Sequence, residues 1–336
     1  LISKKNKNFK SLSLFKTNLH DQLNNSKYDI IHLTWINEIL SIEDIGKINK
    51  PVVWTLCDMW PLAGINHYDV DNSKSFWKKK NFNKKNINKN FIDDWIIKRK
   101  IKSWKNINIV CPSKWIMKCA NESVITHNFK KYHIPWPVNQ NKFNKKNKIT
   151  MRKNFKIPKN RKYILFNAFN GINDPRKGWK IFFEAISFCK ESFDIIVIGE
   201  NKNKIFENIR GRKFYSLGKI DNDEIMSKIL NCADLIAIPS VMDNLPQVGI
   251  EAQACGLPIV TFDCNGLRDL VDHKINGYLS KPYSSISLAK GIDWTIRNLN
   301  NRNLSFNSQK KTKLNWSSKL ISLQYKKLYE KILNEN

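Results

Sequence analysis

Asp243 and Glu251 stand with seven residues between them in the run Asp243-Asn244-Leu245-Pro246-Gln247-Val248-Gly249-Ile250-Glu251. Pro246 suits the first turn of a helix, where its missing N–H is not needed, and Gly256 suits the helix end, with Pro258 blocking continuation. A helix that starts here aims unpaired backbone N–H groups at whatever lies before its tip, which is a phosphate-binding arrangement. Glu251 then lies about 7–8 Å further along the axis, at roughly 1.5 Å per residue. One helix could therefore hold a phosphate at its tip and a sugar diol on its flank. Arg176 and Lys177 follow the turn-forming pair Asp174-Pro175 and precede Gly178. Two cations on a turn beside such a helix tip suit phosphate contact, although Asp-Pro-Arg-Lys-Gly alone also reads as a plain turn.

The elements that would position these groups alternate strand with helix. Leu235-Ile236-Ala237-Ile238 has the length and composition of a buried parallel strand. Before it come a strand Tyr163–Phe169, a helix Trp179–Lys190, strands Asp194–Gly199 and Lys213–Leu217, and a helix Asp223–Cys232. After it come a strand Pro258–Phe262, a turn at Asn265-Gly266, an edge strand Asn276–Leu279, a helix Ser284–Asn298 and an amphipathic helix Leu314–Leu333. Such alternation predicts a doubly wound parallel sheet, and ligands bind at the carboxyl edge of such sheets. The loops at Arg176-Lys177, Leu217-Gly218, Asp243–Pro246 and Gly266 should converge there.

The first part of the chain repeats the pattern: a helix over 9–25, a strand Asp29–Trp35, a helix Glu38–Lys47, a strand Pro51–Leu56, and a strand Ile107–Ser113 followed by a helix from Lys114. His32, Trp35, Cys57 and Asp58 should then sit near adjacent strand ends, as functional groups or as ordinary packing. Residues 139–160, rich in Lys and Asn without periodicity, read as an interdomain linker.

The 336 residues suffice for two domains, and a hydrophobic fraction of 41% excludes a disordered chain. A net charge of +29 favours anionic partners, or else describes a solvated lysine-rich surface. The seven cysteines include no Cys-x-x-Cys pair and read as reduced thiols of a cytoplasmic protein. No acidic metal cluster is evident. No run is long enough to span a membrane, and no signal peptide is visible. Between Lys74 and Phe91, lysines alternate with Phe76, Trp77, Phe82 and Ile87 without any acidic residue. That segment could meet anionic lipid head groups, contact nucleic acid, or be a solvated loop. No nucleic-acid recognition module is present, which disfavours the second of these.

Taken together, the acidic pair, its continuation Ala252-Gln253-Ala254-Cys255-Gly256-Leu257-Pro258, and Asp174-Pro175-Arg176-Lys177-Gly178-Trp179 resemble the retaining glycosyltransferases of family 4 (glycosyl transferases group 1). Trp54-Thr55-Leu56-Cys57-Asp58-Met59-Trp60-Pro61-Leu62 and Cys111-Pro112-Ser113-Lys114-Trp115 are similar to the members that build surface polysaccharide. The resemblance runs from about residue 28 onward. It implies an α/β, GT-B architecture of two facing Rossmann-like domains with a cleft between them. The first would span 1–145 on the acceptor side and the second 146–310 on the nucleotide-sugar side. Residues 311–336 would form a C-terminal helix packing back towards the first. It further implies transfer of a sugar from a nucleotide-sugar to an acceptor hydroxyl with retention, as in lipopolysaccharide, capsule or exopolysaccharide assembly at the inner membrane face.

In that scheme Glu251 holds the donor ribose, and Arg176 and Lys177 hold the diphosphate. Asp243 lies by the donor sugar with the amides of Asn244 and Leu245, Gly218 and Gly266 line the donor site, and Cys57 and Asp58 serve catalysis. Neither metal nor cofactor is expected. Three departures from the family pattern stand out: Asp243 for Glu, Cys57 for His, and Ala63-Gly64-Ile65 for a Gly-Gly. A chain beginning at Leu1 is also expected to lack the first strand-helix unit. A non-catalytic nucleotide-sugar binder or inactive fragment is the alternative.

Overall fold

The computed structural model describes residues 9–36, 38–69, 71–84, 90–167, 174–199 and 211–335. They form two compact units, one of the residues up to Pro135 together with those from Ser322 on, the other of Trp136–Ile321.

In the first unit, helix α1 (Leu19–Asn24) leads to strand β1 (Ile31–Leu33), α2 (Ile42–Gly46), β2 (Val52–Thr55), α3 (Phe91–Ser103), β3 (Ile107–Cys111), α4 (Lys114–Glu122) and β4 (Lys131–His133). The four strands are parallel in the order β1-β2-β3-β4. β2 and β3 are buried along their whole length, as strands covered on both faces must be. Ser41 and Asp44 cap α2 reciprocally. α2 crosses α3 closely, because a Cβ on Gly46 would lie 2.3 Å from the Ser103 carbonyl oxygen. Helix formation before β1 is confined to Leu19–Asn24, not 9–25 as the pattern suggested.

The second unit continues with α5 (Lys148–Asn154), β5 (Tyr163–Asn167), a 3-10 turn (Pro175–Lys177), α6 (Trp179–Phe188), β6 (Asp194–Ile198), β7 (Phe214–Ser216), α7 (Asp223–Leu230) and β8 (Leu235–Ile238). Then come α8 (Gln247–Ala254), β9 (Ile259–Phe262), α9 (Leu267–Leu270), β10 (Gly277–Ser280), α10 (Ser285–Asn298), α11 (Leu304–Asn315) and α12 (Ser318–Glu335), whose residues from Ser322 on belong to the first unit. Six parallel strands lie in the order β10-β9-β8-β5-β6-β7. The chain winds outward from β5 through β6 and β7, then returns to β8 on its other side. The junction of β5 and β8 is thus the topological switch point, where open α/β sheets bind ligands.

Two expectations fail here. The stretch 139–160 is not a linker: Phe143 and Ile157 join the second unit's core, and α5 forms within it. Arg152, only 4% exposed, donates to the carbonyls of Cys232, Lys159 and Arg161 and pairs with Asp234 at 2.8 Å. Its polar composition concealed one buried guanidinium that organises the segment. The last helix, expected from Leu314, starts instead at Ser318, because α11 runs up to buried Trp316, whose carbonyl accepts from Val138 N–H at 2.9 Å.

The segment from Lys74 also departs from expectation. Trp77 and Phe82 are buried, and Lys78, only 4% exposed, pairs with Asp71 and Glu122 at 2.6 and 2.7 Å. Residues 74–84 therefore turn these two aromatics inward, leaving Lys74, Lys79, Lys80 and Lys84 outside. Lys85, Ile87 and Lys89 lie outside the described residues.

Candidate active site

β8 is buried throughout, and so are Pro239 and Ser240 beyond it, so the loop that follows starts from a fixed base. Pro246 occupies the capping position and α8 begins at Gln247. Gly249 lets α8 lie close on the sheet, since a Cβ there would come within 2.7 Å of Leu270 Cδ1. The helix ends at Gly256, in the left-handed region with φ 77°.

The cationic turn is stitched to this loop by its backbone. Asp174 accepts from Arg176 N–H at 2.9 Å and closes the turn. Gly178 ends it at φ 71°, where a Cβ would lie 1.9 Å from the Pro239 carbonyl oxygen. The Arg176 carbonyl accepts from Val241 N–H at 2.7 Å. Glycine is required at Gly178 on both counts, backbone conformation and space. Lys177 Nζ consequently reaches Asp243 Oδ2 at 2.9 Å, and Arg176 pairs with Asp174 at 2.8 Å. On the far side Gly266 N–H donates to the Asp243 carbonyl at 3.1 Å, and Asn265 Nδ2 donates to the Val241 carbonyl at 2.9 Å.

Arg176, Lys177, Asp243 and Gly266 are thus one constellation at the switch point. Leu245 is a core residue, so only its main chain can serve the site, and Asn244 is buried beside it. Gly218 lies at the end of β7, where its carbonyl accepts from Gly199 N–H at 2.9 Å. β7 is three strands from β8, about 14 Å by strand spacing. Glu251 sits half-buried on α8; burial, reinforced by Asp223 on α7 and opposed by a hydrogen bond to Gln247, pushes its carboxyl up to about 7. A carboxylate so placed carries little solvation of its own and gains from hydroxyl donors.

The first unit assembles a second group. Asp58 is buried, accepting from Trp60 N–H at 2.8 Å and from His67 Nδ1 at 2.6 Å, while Ser11 Oγ meets His67 Nε2 at 2.8 Å. Asp58 therefore orients His67 and the loop between them. Ser11 is 1% exposed, so the array is an orienting relay and not a nucleophile. His67 was missed in the sequence; its nine-residue offset from Asp58 matches no short motif. The Cys57 thiol is pushed up to about 12 by burial and by Asp58, which leaves it protonated near neutrality. It offers no thiolate and no base. His32 bridges Tyr329 Oη and Thr55 Oγ1 at 2.6 and 2.8 Å, and burial lowers its pKa. Trp35 is 48% exposed and its ring lies 4.9 Å from that of His67.

All seven cysteines are free. Among the described residues no cluster of three or more His, Cys, Asp or Glu could hold a metal ion, and no helix is long and apolar enough to cross a membrane.

A helix-tip loop joined to a cationic turn at the switch point of a second parallel α/β unit belongs to an α/β protein with the GT-B fold. Residues 161–298, within this unit, match the family described as Glycosyl transferases group 1. The sucrose-phosphate synthase of Thermosynechococcus elongatus superposes with a TM-score of 0.72 at 17% identity, over 95% of this chain and 77% of that one. An Anabaena protein, HepE, solved with UDP and glucose, gives 0.67 at 17% identity over 93% and 80%. A Campylobacter jejuni relative, N,N'-diacetylbacillosaminyl-diphospho-undecaprenol alpha-1,3-N-acetylgalactosaminyltransferase, is 26% identical over 162 residues, covering 47% of this chain and 42% of its own. The chain spans about half the length of the curated relatives it matches.

Proposed function

We propose that the chain transfers a sugar from a nucleotide-sugar to an acceptor hydroxyl with retention at the anomeric carbon, in surface-polysaccharide assembly at the cytoplasmic membrane face. The observation that carries this reading is the constellation at the β5–β8 switch point: two cations stitched to the loop before α8, with Glu251 further along that helix. Departure of a nucleoside diphosphate is the difficult step, and cations beside a helix N-terminus are suited to stabilise the charge it develops. Arg176 and Lys177 take the diphosphate, Glu251 accepts hydrogen bonds from the ribose hydroxyls, and Asp243 with the Asn244 and Leu245 amides faces the donor sugar. Gly218 and Gly266 line the donor site. No metal or cofactor is assigned. The UDP and glucose bound to HepE and the lipid diphosphate named for the C. jejuni relative support a nucleotide-sugar donor and a lipid-linked acceptor.

One observation favours a second reading. Cys57 is a protonated thiol where the family pattern has His. A nucleotide-sugar binder without turnover would fit that residue. Calorimetry with UDP and GDP on Glu251→Ala tests the site: affinity should fall by an order of magnitude or more, and unchanged affinity overturns the assignment. Radiolabelled donor consumption by the native sequence then separates enzyme from binder.

A further inference from the structure

α3 is apolar on both sides. Its inner face carries Ile96 and Ile97 with Asp93 and the fully buried Lys100, whereas Phe91 (81% exposed), Ile92 (41%), Trp95 (42%) and Ile101 (42%) face solvent. The inner charges have definite work: Asp93 accepts from Ile65 N–H at 2.9 Å, and Lys100 donates to the carbonyls of Trp60, Ala63 and Gly64. Of the outer side chains Trp95 has the Arg99 guanidinium over its ring at 4.7 Å, which leaves Phe91, Ile92 and Ile101 exposed without such a contact among the described residues. Exposed apolar patches of this kind mark interaction surfaces.

The outer face has an order. Phe91, Trp95, Lys98 and Lys102 recur at i, i+4, i+7 and i+11, one stripe about 16 Å long, aromatic at its start and cationic at its end. Beside it, between α2 and α3, lies an open depression of about 670 Å³ whose lining includes Leu14, Lys47, Trp95, Arg99 and Lys102. Phe15, next to Leu14, is 86% exposed. Two carboxylates border this face and both are engaged: Glu43 with Arg99 at 2.9 Å, and Asp94 with Lys98 at 2.7 Å. Lys47 and Lys102 have no ion pair among the described residues.

We infer that the outer face of α3, with Leu14, Phe15 and Lys47, docks on a bilayer surface bearing anionic lipids. The partner must be flat enough to meet a straight stripe, apolar enough to take Phe91 and Trp95, and negative enough to meet the lysines. Interfacial helices combine these residue types. A second copy would set this basic surface against itself in a chain of net charge +29. The inference deepens the reading of an enzyme at the membrane face; of the segment 74–91 expected to meet the membrane it keeps Phe91 and sets aside Trp77 and Phe82, which are buried, placing the rest of the contact on α3.

The test is co-sedimentation of the whole chain with phosphatidylcholine vesicles, with and without phosphatidylglycerol. Binding should require phosphatidylglycerol and weaken with salt. Phe91→Ser with Trp95→Ser should reduce it about tenfold or more, and Lys47→Gln or Lys102→Gln about fivefold each, all at unchanged melting temperature. Lys74→Gln with Lys79→Gln and Lys80→Gln should change it less than twofold, despite removing more charge. Absence of binding to anionic vesicles, full binding by the Phe91/Trp95 double variant, or an equal loss in the Lys74 triple variant overturns the inference. So does a dimer in light scattering that the double variant dissolves. Calorimetry with a UDP-sugar on the same samples keeps the donor reading separate, because it survives or fails there alone.

Discussion

Glu251 allows the proposed donor site to be tested by pH alone. Its carboxyl sits at about 7, raised first by burial and then by Asp223. Because this lies above the ordinary value of 4.5, the protein itself loses stability as pH climbs from that value through about 7. A carboxylate that accepts from two ribose hydroxyls gains affinity over the same range. With the group at about 7, roughly nine molecules in ten are ionised at pH 8 and roughly one in ten at pH 6. Affinity for a nucleotide-sugar should therefore fall ~10-fold between pH 8 and pH 6. A nucleotide-sugar is the right probe because its diphosphate is esterified at both ends, whereas a terminal phosphate would titrate near pH 6. Calorimetry at constant ionic strength reads the effect. Glu251→Gln should bind more weakly at pH 8 and show no slope. A flat profile for the native residue, tighter binding at pH 6, or the same slope in Glu251→Gln would refute the reasoning.

Asp243→Asn removes the carboxylate that holds Lys177 at 2.9 Å; UDP should bind roughly three- to tenfold more tightly, while transfer from the intact donor falls. Gly178→Ala must adopt a left-handed backbone and place a Cβ 1.9 Å from the Pro239 oxygen; urea unfolding should show a loss above ~2 kcal/mol. Lys100→Met abandons three buried carbonyls; the expected cost is about 3–5 kcal/mol by the same measurement. Cys57→His should keep the melting temperature and raise transfer at neutral pH, and a lower rate would show that the thiol is not standing in for an imidazole.

What the sequence made legible followed from local signals. The apolar run Leu235–Ile238, the punctuation at Pro246, Gly256 and Pro258, and the Asp174–Gly178 turn each declared themselves within a few residues, and together they located Arg176, Lys177, Asp243 and Gly266. What stayed hidden depended on partners distant in sequence. Arg152 looks like one more basic residue until Asp234 and three carbonyls are found around it. Trp77 and Lys78 read as a surface pattern because Glu122, which pairs with Lys78, lies on another element. The Asp58–His67–Ser11 relay closes across 56 residues, beyond the reach of any spacing rule. That Asp243 is also the counter-ion of Lys177 is visible only in the folded turn.

The hydrogen bond between His32 and Tyr329 spans 297 positions, and Tyr325 reaches Thr55 beside it at 2.9 Å. β1 and β2 emerge early in synthesis, yet these two tyrosines leave the ribosome only after the whole of the second unit has been made. Domains usually form in the order they are translated. Here the earlier unit must wait, partly uncovered, while the later one folds. A message broken shortly before α12 would release a nearly finished second unit tied to an unfinished first one, a natural substrate for chaperones and proteases.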